Sequence, residues 1–311
     1  MPKEFKYLYG PVPSRRLGWS LGVDIVPLKV CTLDCIYCQL GGTPRTTVER
    51  SEYVSADAVL AELTEKIEAG LEADYITIAG SGEPTLNSQL GKLLDAIKKI
   101  TDIPLTVLTN GTLFFREDVR ADCLKADVVL PSLDAGDEET FRRINRPHAD
   151  ISIEKLVSGL RAFRKEFSGL IWLEVFLVAG LNTNTQQIDA IKALIERIAP
   201  DKIHLNTAVR PTAEPDVAAV AQEQLAAIAA ELSERCEAIA DFSGGLPPVA
   251  DATASAEDVF SMLKRRPCSL ADISAGLSIP PNLTVKHLAT LQQQGLIESY
   301  HKSRTVFFRA K

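Results

Sequence analysis

Six times between residues 23 and 205, a short apolar run gives way to a stretch whose apolar residues recur every three or four positions. The runs occupy 23–26, 75–79, 104–108, 127–130, 170–178 and 202–205. The stripes between them include Leu60, Leu63 and Ile67, then Leu90, Leu93, Leu94 and Ile97. Further along come short helical stretches at 116–125 and 137–144, then Ile153, Leu156, Leu160 and Phe163, then Ile188, Ile191, Leu194, Ile195 and Ile198. Alternation of strand-like and helix-like periods predicts an α/β fold with a parallel sheet and crossover helices. The strand runs are almost continuously apolar, which fits a sheet covered on both faces. Periodicity leaves open whether the sheet curls towards a barrel or lies open and doubly wound.

In parallel α/β folds, ligands sit at the carboxyl ends of the strands, so the loops after the runs carry the chemistry. The first of them holds Cys31-Thr-Leu-Asp-Cys35-Ile-Tyr37-Cys38. Three soft thiolates within eight positions can converge on one metal centre. Three ligands suit an iron–sulfur cluster that keeps one iron open, whereas structural zinc needs a fourth ligand, usually from a second pair that this chain lacks. Ordinary packing gives no reason for three cysteines in one turn-rich loop. The second exit is Gly80-Ser-Gly82-Glu83-Pro84, where glycine lets backbone approach a ligand and Glu83 offers a carboxylate to an amine; a plain proline-closed turn has the same composition. The third is Thr109-Asn110-Gly111-Thr112, by default a turn. The fourth is Pro131-Ser132-Leu133-Asp134, whose hydroxyl and carboxylate, two apart on a strand end, point the same way and suit a ribose. The fifth ends at Gly180-Leu-Asn182. Arg15, Arg16, Arg146 and Arg210 are candidates for gripping an anionic substrate group, with plain surface arginines as the alternative. The four histidines form no metal-spaced group, and no catalytic acid or base stands out.

C-x3-C-x-Tyr-C, followed by these loops, resembles the radical S-adenosylmethionine (radical SAM) superfamily. That resemblance implies a partial (β/α)6 TIM-like barrel, a 4Fe–4S cluster on Cys31, Cys35 and Cys38, and S-adenosylmethionine on its open iron. One electron then cleaves the sulfonium to a 5′-deoxyadenosyl radical. Gly82-Glu83 matches the family motif that contacts the methionyl amine. Ser132 and Asp134 fall at its ribose-contacting position, Asn110 and Asn182 on cofactor-side loops, and Tyr37 packs near the adenine. A flavodoxin- or ferredoxin-like electron donor is implied as a partner. From Gly10-Pro-Val-Pro-Ser-Arg-Arg through Gly82-Glu83-Pro84 to Arg210-Pro211, the pattern is similar to the wyosine-type tRNA synthases, which rebuild a guanosine base. The archaeal members carry a second cluster on three cysteines upstream of the first set; here no cysteine precedes Cys31. The expected activity is therefore modification of an RNA base, in tRNA. The alternatives are modification of a peptide or protein, and an iron–sulfur redox-sensing regulator. Intact cofactor loops count against the regulator.

The last fifth of the chain reads differently. Residues 243–254, rich in Gly and Pro, form a linker between a barrel at 1–242 and a small domain at 255–311. There, helices at 256–263, 269–275 and 282–294, with Val285, Leu288 and Leu291 inward, precede strands at 296–300 and 305–309. This resembles a winged helix, whose contacts to nucleic acid would be Lys286, His287, Lys302, Arg304 and Arg309. Packing against the barrel is the other reading. Residues 255–311 hold eight basic and four acidic residues, against 26 and 37 in the rest of the chain. No apolar run of about 18 residues is present, so no membrane span is expected. The first residues lack a signal-type apolar stretch, and Cys123, Cys236 and Cys268 are scattered, so a reducing cytoplasmic setting is expected.

Overall fold

A computed structural model describes residues 5–14, 16–239, 254–277, 279–302 and 305–311. Eight strands form one sheet in chain order: β1 (Leu8–Ser14), β2 (Gly18–Val23), β3 (Tyr75–Ile78), β4 (Leu105–Leu108), β5 (Val128–Leu130), β6 (Leu170–Leu177), β7 (Lys202–Thr207) and β8 (Cys236–Ala238). β1 is antiparallel to β2, and every later neighbour is parallel. Between them run α1 (Ala56–Glu68), α2 (Leu90–Ile97), α3 (Glu117–Cys123), α4 (Glu138–Asn145), α5 (Ile153–Glu166), α6 (Thr185–Ile198) and α7 (Gln222–Leu232).

Sequential order decides what periodicity left open. A doubly wound sheet reverses its order at a switch point. Here each strand joins the edge left by its predecessor, and right-handed crossovers then place the helices on one side. The result is a singly wound, mostly parallel eight-stranded sheet whose ends, β1 and β8, do not pair with each other. Alternate strand residues separate the two faces. Leu21, Ile76, Ile78, Leu105, Val107, Leu173, Val175 and Leu205 enter the large core shared with the helices. α2, for example, buries Leu90, Leu93, Leu94 and Ile97, each contributing ~1.5–3 kcal/mol. On the other face, Leu17, Val128, Leu130 and Trp172 make a small apolar cluster. Beside it lies a polar set that includes the Ser20 and Thr77 hydroxyls, 2.6 Å apart.

One expectation about the sheet is corrected. The run expected as a strand at 23–26 is paired at Gly18–Val23, because beyond Val23 the chain turns and the Asp24 amide bonds to the Tyr7 carbonyl. The Gly/Pro-rich stretch before it is strand β1. It tolerates prolines, which cannot donate to a ladder, because it is an edge strand, with a register shift between Tyr9 and Val12. After β7 the chain forms α7 and then the short edge strand β8.

At the C-terminal end, α8 (Ala256–Arg265), α9 (Leu270–Gly276) and α10 (Pro281–Gln293) pack on a three-stranded antiparallel sheet of β9 (Cys268–Ser269), β10 (Ile297–Lys302) and β11 (Thr305–Ala310). Ser255 with Asp258 and Ser269 with Asp272 close reciprocal capping boxes on α8 and α9. This module has its own apolar core. Apart from residue 254, the expected linker lies outside the described residues, as does Arg304. Thr284, Leu288 and Leu291 face inward on α10, whereas Val285 is 49% exposed.

Of the side chains expected to contact nucleic acid, Lys286 is exposed. Lys302 Nζ donates to Thr212 Oγ1 at 3.3 Å, Arg309 pairs with Glu298 at 2.6 Å, and His287 is half-buried. The module packs on the sheet. The Arg265 guanidinium lies 3.5 Å from the centre of the Tyr9 ring and 3.5 Å from the Asp24 carboxylate, and Arg210 bonds Asp272 at 2.9 Å.

Candidate active site

The cysteine loop leaves β2 and is pinned on two sides. On one, the Glu83 amide donates to the Val30 carbonyl at 2.9 Å. On the other, the amides of Asp34 and Ile36 donate to the carbonyls of Asn145 and Ile144 at 3.0 Å each, tying the loop to the end of α4. Within it, the Cys38 amide reaches the Cys35 carbonyl at 3.1 Å, and the Asp34 carboxylate accepts the Thr43 amide at 2.6 Å. Two carboxamides then address the sulfurs. Asn145 Nδ2 lies 3.4 Å from Cys35 Sγ and Asn110 Nδ2 lies 3.7 Å from Cys31 Sγ. Such donors stabilise thiolate charge and tune a cluster's potential. Burial pushes the Cys31 thiol up to about 12, with Glu83 adding to it, and burial lifts Cys35 well above the ordinary range. Metal binding here therefore releases protons. Among the described residues no three His, Cys, Asp or Glu side chains converge as on a single ion. A 4Fe–4S cube takes each thiolate on a different iron, so its ligands need not meet at one point.

Gly82 is what lets the loops meet. A Cβ built on it would stand 2.0 Å from the Val30 carbonyl oxygen, next to Cys31. Glu83 is buried and strongly bonded: Oε1 accepts the Thr85 amide at 3.0 Å and the hydroxyls of Thr85 and Thr109 at 2.6 Å each. Oε2 accepts the Asn110 amide at 2.7 Å. Burial raises the Glu83 pKa and these bonds lower it. The carboxylate thus ties the second and third exits together, and Asn110 passes that order to Cys31. Asn110 also bonds Thr32 at 2.7 Å, while its Oδ1 accepts the Thr112 amide and hydroxyl.

Asp134 and Asn182 serve the opposite wall. Asp134 Oδ2 accepts Asn145 Nδ2 at 2.7 Å and the Tyr37 hydroxyl, and Oδ1 accepts the Phe176 amide at 2.9 Å. Burial pushes its carboxyl up to about 6. Tyr37 stacks on Phe176 with ring centres 3.8 Å apart. Asn182, fully buried, donates to the Asp134 and Phe176 carbonyls and accepts the Val178 amide. All three positions, read as cofactor contacts, are engaged in holding the fourth and fifth exits and Asn145 in place.

A cavity of about 1620 Å³ opens beside these loops. Cys31, Gly82, Glu83, Asn110 and Ser132 line it, together with Arg16, Arg210 and residues of α8. Tyr37, Asp134, Asn182 and Arg146 do not. Arg146 caps α4 in a left-handed conformation and pairs with Glu214 at 2.6 Å, which ties the β7 exit to α4. Arg16 pairs with Glu174, buried Arg210 pairs with Asp272, and Arg15 lies outside the described residues. Sequence reading missed Asp24, whose carboxylate accepts the Ser81 amide at 3.1 Å, and also Thr109, Asn145 and Glu174. Each gains its role from a partner more than twenty residues away, for which no local signal exists.

The sequence profile of the Radical SAM superfamily matches residues 25–195, more than half of the chain. The chain is 38% identical over 298 residues to a GTPase Obg of Brachyspira hyodysenteriae, covering 94% of itself and 43% of that protein. It is 38% identical over 208 residues to a UPF0026 protein of Methanocaldococcus jannaschii, covering 66% of itself and 64% of that protein. A probable GTP 3′,8-cyclase of Methanococcus maripaludis is 31% identical over 181 residues, 58% of this chain and 55% of that protein. In structure, a radical SAM methyltransferase from Sphaerobacter thermophilus has a TM-score of 0.54 at 18% identity, over 70% of this chain and 65% of that one. The chain belongs to the radical SAM superfamily. Its cofactors are S-adenosylmethionine and a 4Fe–4S cluster, and the donor set fits: three cysteines in one pinned loop, two of them faced by amide donors.

Proposed function

We propose that this radical SAM enzyme modifies a base in RNA, in tRNA, with Cys31, Cys35 and Cys38 holding the cluster. The observation that carries the reading is the cysteine loop fastened beside a large cavity whose wall joins Gly82, Glu83, Asn110 and Ser132. Cluster and S-adenosylmethionine together supply a carbon-centred radical for hydrogen abstraction. The chain's own groups orient and enclose. The peptide backbone at Gly82 faces the cavity and, with the remaining acceptor capacity of Glu83 Oε2, suits the methionyl amine. The Ser132 hydroxyl suits the ribose. Asp134 and Asn182 act as positioning residues that hold Asn145 against Cys35 and hold Tyr37 in its stack.

We read residues 1–242 as a partial barrel and 255–311 as a winged-helix module that roofs the cavity. Support for a nucleotide unit as substrate comes from the likeness to wyosine-type synthases and from the GTP-cyclase relative. A flavodoxin- or ferredoxin-type protein would deliver the electron.

The test is anaerobic reconstitution with iron and sulfide, then dithionite and S-adenosylmethionine, with 5′-deoxyadenosine measured with and without bulk tRNA. Formation that rises with tRNA, and with salt-sensitive tRNA binding, is expected. Formation indifferent to tRNA would overturn the RNA assignment. No formation from a fully loaded cluster would overturn the enzyme reading.

A further inference from the structure

The cavity is roofed by the C-terminal module, and the roof carries one guanidinium whose neighbours are all matched. Ser261, Met262, Arg265 and Arg266 line it from above. Arg265 faces Asp24, Arg210 faces Asp272 and Arg16 faces Glu174. Among the described residues, the Arg266 guanidinium has no carboxylate or hydrogen-bond partner. Two acids of α8 also line the cavity: Asp258 accepts the Ser255 amide and hydroxyl in its capping box, and Glu257 is exposed.

We infer that Arg266 is the residue that binds a phosphate ester of the substrate in this cavity; the inference rests on the proposed function and names the group by which that substrate is held. Three arguments support it. A half-buried positive charge beside another guanidinium is costly unless an anion offsets it. Arg210 registers that environment, its pKa lowered first by burial and then by Arg266. Arginine's planar fork matches two phosphate oxygens at once, with charge-assisted bonds. The cavity, about 1620 Å³, exceeds the roughly 300–1,000 Å³ typical of single-ligand sites and leaves room for a nucleotide besides a cofactor. The small module would then select substrate at the site itself rather than by reading a distant groove.

The test uses the full, cluster-loaded chain and calorimetric titration of adenosine and guanosine 5′-monophosphates against the corresponding nucleosides. The unmodified protein is expected to bind a monophosphate about tenfold or more tightly than its nucleoside, the discrimination typical of a charge-assisted hydrogen bond. Arg266→Gln should reduce that ratio to about twofold or less, and Arg266→Lys should keep part of it. Melting curves and iron content report whether each variant is folded and loaded. Filter binding of tRNA then separates the sources of the phosphate. A parallel loss in Arg266→Gln places it in RNA, and unchanged tRNA binding with lost monophosphate binding places it in a free nucleotide. A phosphate preference that survives in Arg266→Gln, or is absent from the unmodified protein, overturns the inference. If the unmodified protein forms 5′-deoxyadenosine with tRNA yet shows no phosphate preference, the proposed function stands and this inference falls.

Discussion

Replacing Gly82 by alanine should damage the cofactor site without touching any ligand. The added methyl would lie 2.0 Å from the Val30 carbonyl oxygen and 3.2 Å from Val26 Cγ2, and the first obstacle is backbone that cannot rotate away. Relief requires the cysteine loop to back off from the β3 exit, which stretches the 2.9 Å bond from the Glu83 amide to Val30. Overpacking of this kind costs ~1–3 kcal/mol, and loss of the bond adds ~0.5–1.5 kcal/mol. The sum, about 1.5–4.5 kcal/mol, lowers the melting temperature by roughly 2–7 °C in a chain of this size. Cys31 moves with Val30, so iron retained per chain after reconstitution should fall as well. The control is Gly180→Ala, at φ 76° with nothing within 4 Å of the added carbon, which carries only backbone strain. The assays are thermal melting of the cluster-free chain and iron and sulfide content after loading. A Gly82→Ala protein that melts like the parent and loads a full cluster would refute the reasoning.

Other outcomes follow from the same geometry. Alanine at Cys31, Cys35 or Cys38 should abolish cluster assembly, read as loss of bound iron. Burial lifts the Asp134 carboxyl from its ordinary value to about 6, so it contributes stability below about pH 4 that is lost as pH rises through 6. At ~1.4 kcal/mol per unit this is about 3 kcal/mol, and the Asp134→Asn chain should lack that part of the slope in denaturant titrations at pH 4–7. Asn145→Ala removes the donor 3.4 Å from Cys35 Sγ and should shift the cluster's reduction potential in voltammetry, with iron content largely kept. Asp272→Ala removes the 2.9 Å charge-assisted bond to buried Arg210, worth ~1.5–3 kcal/mol, and opens the capping box of α9. It should make the C-terminal module the first part cut in limited proteolysis.

The α/β class, five of the seven mutually parallel strands and the cysteine loop were legible in the sequence by itself. Strand and helix periods are local properties of the chain, and three thiols within eight positions need no tertiary structure to be noticed. Local pattern failed where pairing decides the outcome. β1 is a strand because an edge accepts its prolines, and β8 is three residues long with no period to read. The direction of winding came only from strand order, a property of the assembled sheet. The site divides in the same way. Gly82, Glu83 and Ser132 sit where their motifs put them, at strand ends. Asp134 and Asn182 proved to bond the fold itself, Arg146 and Arg210 proved to be paired, and Asn145 and Arg266 acquire their settings from segments that are distant in sequence. Sequence spacing specifies which side chains leave a strand together. Which of them remain unpaired and facing a cavity depends on the neighbours that packing supplies, and only the tertiary structure decides that.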